Sequence, residues 1–230
     1  MVDPFWKNVG FVIRTGGNVA RARVPAQLVT WVNELPRENV VYVSDANYTA
    51  KEPVEFEGYR AIMPQLHDAV GPYAVPGDND SLPTAAPWDK DFLKHLGAFD
   101  LLFKQVPEAQ WYVMADDDTF VFLKVLKQHI LKRFRSRKAG RHIFALCYGL
   151  TDTVYARKCG KYPLGGGPYY PAGGAGMVLT RAAMLALQTV LPASYGKYAN
   201  CWAGDRRLGA ALWDAKVTCI RNSGYMSRDI

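Results

Sequence analysis

The stretch "WYVMADDDTFVF", residues 111–122, sets three consecutive acids directly after an apolar run. Trp111, Tyr112, Val113, Met114 and Ala115 read as a strand covered on both faces, because a short unbroken apolar run is what such a strand needs. Asp116, Asp117 and Asp118 then fall at its carboxyl end, and Phe120, Val121 and Phe122 return to the interior. Carboxylates this close repel one another and are costly to desolvate. One acid would cap the helix that follows; two more would add repulsion without return. Three oxygen donors at a strand end favour a divalent cation. A capping turn is the alternative.

Working outward, "NVGFVIRT" (8–15) reads as a buried strand stopped by Gly16 and Gly17, and "NVVYVSD" (39–45) as a second. Between them lies a helix with Pro25 near its first turn and Val24, Leu28, Trp31 and Val32 on one face. The segment 67–88 holds Pro72, Pro76, Pro83 and Pro87 with Gly71 and Gly77, too broken for a long element. A loop of that length in a compact domain is as a rule functional or mobile. A helix from about Asp89, with Phe92, Leu96, Phe99 and Phe103 at helical spacing, leads into the acidic strand.

After the acids come a helix with Leu123, Leu126 and Ile130 inward and the strand "HIFALCY" (142–148). The glycine-rich "YPLGGGPYYPAGGAGMVLT" (162–180) feeds a short strand. The helices "RAAMLALQTVL" (181–191) and Asp205 to Lys216 and the strand "KVTCIR" (216–221) close the chain. Strands alternating with helices predict an α/β fold: a mostly parallel sheet with helices on both faces and no internal repeat. Ligands of such sheets bind beyond the carboxyl ends of the strands. There the order places the three acids, Thr15 and Asp45.

Composition narrows the function classes. At 230 residues, 49% hydrophobic and 13% aromatic, the chain fits one sizeable core and is not disordered. No apolar run approaches the roughly 20 residues of a membrane span, and "MVDPFWKNVG" carries neither the positive nor the apolar region of a secretory signal. The net charge of +7 is concentrated in "KVLKQHILKRFRSRKAGR" (124–141). Aromatics do not interleave with these charges as a base-stacking surface would require, so a solvated helix face is expected rather than a nucleic-acid surface. Cys147, Cys159, Cys201 and Cys219 form no CxxC pair, which argues against zinc. Two disulfides, 147–159 and 201–219, and four buried thiols fit the sequence equally.

Two further features have functional and plain readings. Asp205 in "CWAGDRRLGAAL" opens an amphipathic helix and would serve as its cap. The glycines of "AGGAG" (172–176) make either a flexible turn or a backbone that a ligand can approach closely.

Taken in order, five segments resemble the fringe-like β-1,3-glycosyltransferases, most closely their fungal members. "VIRTGGNVARARVPAQLVTWV" is similar to the family's opening strand, turn and Arg-containing helix, and "VVYVSD" to its second strand ending on an acid. "WDKDFLKHLGAFDLLFKQVPEAQWYVMADDDTFV" resembles the helix leading to its Trp-Tyr-Val strand and DxD-type motif. "GGAGMVLTRAAM" and "CWAGDRRLGAAL" resemble its Gly-Gly-(Ala/Ser)-Gly segment and its late motif, where an acid opens a helix. The matches run from about Phe11 to Val217.

The resemblance implies a single GT-A domain, with about 1–120 binding the nucleotide sugar and about 121–230 the acceptor. It implies a metal-dependent, inverting hexosyl- or N-acetylhexosaminyltransferase that uses a UDP-sugar, a Mn²⁺ ion, and a glycan or glycoprotein acceptor in the Golgi or secretory-pathway lumen. A membrane anchor would lie outside this chain. It places Asp118 and Asp116 on the metal, with Asp116 and Asp117 assisting or binding ribose, and makes Asp205 the catalytic base. It makes Thr15, Arg21 and Asp45 contacts to uridine and diphosphate. Lys90 would support the diphosphate, and Gly173, Gly174, Ala175 and Gly176 would line the donor sugar and acceptor.

Two departures from the family pattern stand out. Animal members pair two acids at the late motif, whereas Gly204 precedes a lone Asp205 here. They also supply a histidine metal ligand near the C-terminus, where this chain reads "NSGYMSRDI", leaving Ser227, Asp229 or water to substitute. A GT-A domain that binds without transferring sugar is therefore the alternative reading. A metal-dependent phosphodiesterase is disfavoured, because such sites gather histidines and here all four lie away from the motifs.

Overall fold

Six residues without a polar break until Arg14 make the first strand, β1 (Val9–Arg14), and all six are buried. The computed structural model describes residues 2–16, 19–44, 54–56, 59–61, 66–68, 88–134, 144–147, 149–150, 170–171, 176–198, 204–221 and 226–227. Side chains are described at 2–16, 19–20, 22–43, 94–131, 176–198 and 204–218.

In chain order, β1 is followed by α1 (Ala20–Val29), β2 (Val40–Ser44), the short strands β3 (Val54–Phe56), β4 (Tyr59–Ala61) and β5 (Leu66–Asp68), and α2 (Trp88–Gln105). Then come β6 (Trp111–Asp116), β7 (Phe120–Val121), α3 (Leu123–Phe134), β8 (Phe144–Cys147), β9 (Gly149–Leu150), β10 (Tyr170–Pro171) and β11 (Met177–Thr180). Helices α4 (Arg181–Lys197) and α5 (Gly204–Asp214) and strands β12 (Thr218–Arg221) and β13 (Met226–Ser227) complete the order.

Among the described residues, seven strands form one sheet in the order β5-β2-β1-β6-β11-β8-β12. All run parallel except β11, which is antiparallel to both neighbours. The expected α/β sandwich, a mostly parallel sheet flanked by helices, is the one observed. Alternation along β1 decides the layers. Val9, Phe11 and Ile13 join Val24, Leu126 and Ile130 under α1 and α3. Val12 joins Leu96, Phe99, Leu102, Met184 and Leu208 under α2, α4 and α5. Leu96, Phe99 and Leu102 are each no more than 1% exposed, and burying side chains of this size contributes about 1.5–3 kcal/mol apiece.

Several boundaries differ from the expectation. Helix α1 begins at Ala20, so Pro25 sits in its interior rather than its first turn. Trp31 and Val32 lie past the end of α1, Val32 in a separate 3₁₀ turn, yet both pack into the same core. Helix α4 does not stop before Pro192 but runs on to Lys197, because Ser194 and Tyr195 are buried and the Ser194 hydroxyl donates to Val190 O at 2.9 Å. Tertiary packing there outweighs the missing proline N–H. Strand β5 adds an edge to the sheet that its three residues did not announce.

Residues 69–87, most of the expected loop, lie outside the described residues, as do Cys159, Cys201 and the side chains of Cys147 and Cys219. The basic stretch is described only in part: Lys127 pairs with Asp3, and its ammonium lies 5.3 Å from the Phe5 ring centre. Among the described residues no helix is long and apolar enough to cross a membrane.

Candidate active site

The order of the sheet turns away in two directions from the pair β1 and β6, with β2 on one side and β11 on the other. Ligands of doubly wound sheets settle in the crevice beyond strands that diverge in this way. The last residues of the two strands, Arg14 and Asp116, are partners in register. Past them the chains stay tied, since Asp117 N donates to Arg14 O and Thr15 N to Val43 O, each at 2.9 Å.

Each acid of the triplet has its own surroundings. Asp116 forms an ion pair with Arg14, whose side chain is only 3% exposed. Asp117, 5% exposed, accepts from the Thr15 hydroxyl at 2.6 Å on one oxygen and from Arg23 at 2.9 Å on the other. Asp118 is 52% exposed and lies 3.4 Å from the same arginine. Beneath them, the buried Lys94 of α2 donates to Thr15 O at 3.0 Å. Two arginines, Arg14 and Arg23, therefore pair with the three carboxylates. That is how the chain tolerates them at the rim of its core.

Neutral groups fix the turn. Gln27 donates to Asp116 O at 2.9 Å and to Thr119 O at 3.2 Å, and its own carbonyl accepts from the Tyr42 hydroxyl at 3.3 Å. Burial, reinforced by the charge of Asp117, raises the Tyr42 phenol far above its ordinary range, so it stays a donor. The hydrogen bond from Arg23 to Asp117 raises the guanidinium further still.

On the other face, Arg14 Nη1 lies 2.6 Å from His95 Nδ1. A guanidinium can only donate, so Nδ1 accepts and the ring proton sits on Nε2. His95 in turn packs against Gly204, the first residue of α5 and the neighbour of Asp205. This corrects the expectation that every histidine lies away from the motifs. Its position four residues before Phe99 on the buried stripe of α2 was the available signal.

Of the expected site residues, the structure brings Thr15, Asp116, Asp117 and Asp118 together at one strand end. Asp205 is partly buried in the first turn of α5, one residue inside the helix rather than capping it. Gly176 has φ 72°, the left-handed backbone that favours glycine, immediately before β11. Asp45, Gly173, Gly174, Ala175 and Asp229 lie outside the described residues, as do the side chains of Arg21 and Lys90. The C-terminal strand β13 returns to the acid turn and pairs with β7, Ser227 opposite Phe120.

Arg14, Arg23, Gln27, Lys94 and His95 were not anticipated. Arg23 and Gln27 are four residues apart on α1 and share a face. That register emerges only once the helix is known to start at Ala20.

Oxygen-only carboxylates suit a hard divalent cation, which keeps open positions for phosphate and water. Among the described residues no three potential ligand side chains converge, and both oxygens of Asp117 are engaged within the protein. Asp116 and Asp118 are the carboxylates of the triplet that fit such an ion.

No family model matches the sequence, and no curated protein matches it either. Among solved structures, the galactosyltransferase LgtC in complex with donor and acceptor sugar analogues is similar over 91% of this chain and 72% of its own, with 11% identity and a TM-score of 0.46. Mouse xyloside xylosyltransferase 1 in its apo form aligns over 92% of this chain and 84% of its own, at 11% identity and a TM-score of 0.42. A mannose-1-phosphate geranyltransferase from Thermus thermophilus aligns over 93% and 69%, at 15% identity and a TM-score of 0.38.

Proposed function

We propose that the chain is an inverting, metal-dependent glycosyltransferase of GT-A type and fringe-like character, moving a hexose or N-acetylhexosamine from a UDP-sugar to a hydroxyl of a glycan or glycoprotein. The observation that carries this reading is the junction of the Asp116–Asp118 turn with Thr15 and Arg23, at the crevice where the sheet order diverges. Residues from about 1 to 120 would hold the donor and those from about 121 to 230 the acceptor. The secretory-pathway lumen, the Golgi in particular, is the compartment this reading implies.

Asp116 and Asp118 would hold a Mn²⁺ ion, which when bound neutralises charge developing on the departing diphosphate. Thr15, Asp117 and Arg23 keep the acid turn in place; Arg23, 44% exposed, reaches the crevice and offers a cation to phosphate oxygens. Arg21, Asp45 and Lys90 are proposed as further nucleotide and diphosphate contacts, and Gly173, Gly174, Ala175 and Gly176 as a close backbone wall for the sugars. Asp205 is proposed to take the proton of the acceptor hydroxyl, on the face of the sugar opposite the leaving UDP.

The second reading, a domain that binds a glycan or nucleotide without transfer, draws on one observation. Arg14 and Arg23 already neutralise Asp116 and Asp117 within the protein. Incubation with a panel of UDP-sugars and Mn²⁺ separates the two. Slow release of UDP that is quickened by an acceptor supports the transferase. UDP binding without any release supports the binder, and no UDP binding at all overturns the transferase and leaves only a glycan binder.

A further inference from the structure

The environment of Gly204 explains a feature of the sequence that the motif comparison left without a reason. A Cβ built on Gly204 would lie within 2.8 Å of three atoms of the His95 ring, Nδ1, Cγ and Cε1. Real Cβ atoms do not approach ring atoms so closely. His95 has little room to retreat: it is 2% exposed, and its Nδ1 holds Arg14 at 2.6 Å. Arg14 is anchored to Asp116 in turn. The imidazole therefore occupies the space that a side chain at 204 would need.

Helix α5 begins at this contact. Gly204, Arg207, Leu208 and Ala211 are buried, and Leu208 and Ala211 share a cluster with Leu96, Phe99 and Leu102 of α2. The first turn of α5, with Asp205 in it, is thus seated directly on His95. One imidazole links two parts of the site: through Arg14 the acid-bearing end of β6, and through Gly204 the start of α5.

We propose that His95 is a positioning residue that sets where α5 starts, and hence where Asp205 stands relative to Asp116, with Gly204 as its obligate counterpart. A larger residue at 204 and an imidazole at 95 exclude each other. The chain has a lone acid after a glycine here because the space of a second side chain is taken from across the interface. The catalytic consequence rests on the reading of Asp205 given above; the packing relationship does not.

The test has a part that needs no activity. His95→Ala, Gly204→Ala and the double variant are compared by urea denaturation. Gly204→Ala should destabilise the parent chain and be tolerated once His95 is alanine, so that the double variant outlasts Gly204→Ala. Additive losses would overturn the mutual exclusion. In amide spectra, His95→Ala should shift Asp205 and Arg206 and leave the last turn of α4 unmoved; an unmoved Asp205 would overturn the positioning.

Turnover with a UDP-sugar and acceptor then reads the consequence. His95→Ala should lower kcat by about tenfold or more with donor KM nearly unchanged, as a misplaced group does. His95→Asn, which keeps an acceptor toward Arg14, should recover most of it. Wild-type kcat in folded His95→Ala refutes the role while leaving sugar transfer standing. A parent chain without turnover refutes the transfer reading, and the denaturation and amide data still decide the proposal.

Discussion

Arg14 and Asp116 close neighbouring parallel strands at the same level, partners in register and joined side chain to side chain. The pair draws the first acid of the triplet toward the layer of α2. Thr15 and Arg23 draw the second toward α1, which leaves Asp118 as the outermost, at 52% exposure. Three adjacent residues of one type therefore differ in what their loss should do.

Removing Asp118 should cost binding and not stability. In calorimetry with Mn²⁺, UDP should bind Asp118→Ala at least about tenfold more weakly, ~1.4 kcal/mol, with an unchanged melting temperature. Unaltered UDP affinity would remove the residue from the metal site.

Asp117→Ala should behave in the opposite sense. It strands the buried Thr15 hydroxyl and deprives Arg23 of its closest partner. Arg23 is half-exposed and regains water, so the expected loss is about 1–3 kcal/mol rather than that of a fully buried pair. Urea denaturation measures it, and a neutral substitution would show that Gln27, Arg14 and the backbone bonds suffice to hold the turn.

Asp205→Asn separates chemistry from helix electrostatics. In the first turn of α5 the carboxylate contributes about 0.3–1 kcal/mol through the helix dipole, a small loss in melting temperature. Transfer should fall by roughly 10²–10⁴ if Asp205 accepts the proton, with UDP affinity intact. Normal turnover in the folded variant would place the base elsewhere; collapse of UDP binding would place Asp205 in the metal site.

At the other end of α5, Lys216 adopts φ 57° while Val217 N donates to Leu212 O at 2.9 Å, a helix end that ordinarily takes glycine. Lys216 is exposed and its side chain strains the left-handed backbone. Lys216→Gly should stabilise the protein by about 1 kcal/mol. A loss of stability would mean that the lysine side chain contributes more than its backbone costs.

Alkaline stability should track Tyr112. Burial is the main cause that pushes its phenol up to about 12, and the hydroxyl donates to Val106 O and Pro107 O at 3.0 and 3.1 Å. The folded value lies above the unfolded value near 10, so the folded state holds the proton longer. That stability is complete below about pH 10 and is lost as pH rises towards 12. Tyr112→Phe should lower stability at neutral pH by about 1 kcal/mol and flatten the decline between pH 10 and 12. An unchanged decline would assign it to other groups.

Much of this arrangement was legible in the chain itself. The run 111–115, the alternation of strands with helices and the glycine before 177 are local signals, and each fell where expected: β6 ends on the acids, β11 follows Gly176, and Thr15 follows directly on β1. Periodicity and turn chemistry determine such features because they depend on neighbours within a few residues. The tertiary structure decided what those acids face. By sequence alone, Arg14 lies inside the expected strand 8–15, Arg23 carries no assigned role, and His95 counts among the histidines away from the motifs. Their partners are 102, 94 and 81 residues away in sequence. Packing likewise settled the start of α1 at Ala20, the passage of α4 through Pro192 and the bare position at Gly204. Local propensities amount to fractions of a kcal/mol per residue, whereas burying one large side chain is worth several times that. Where the two conflict, the contact made across the fold prevails.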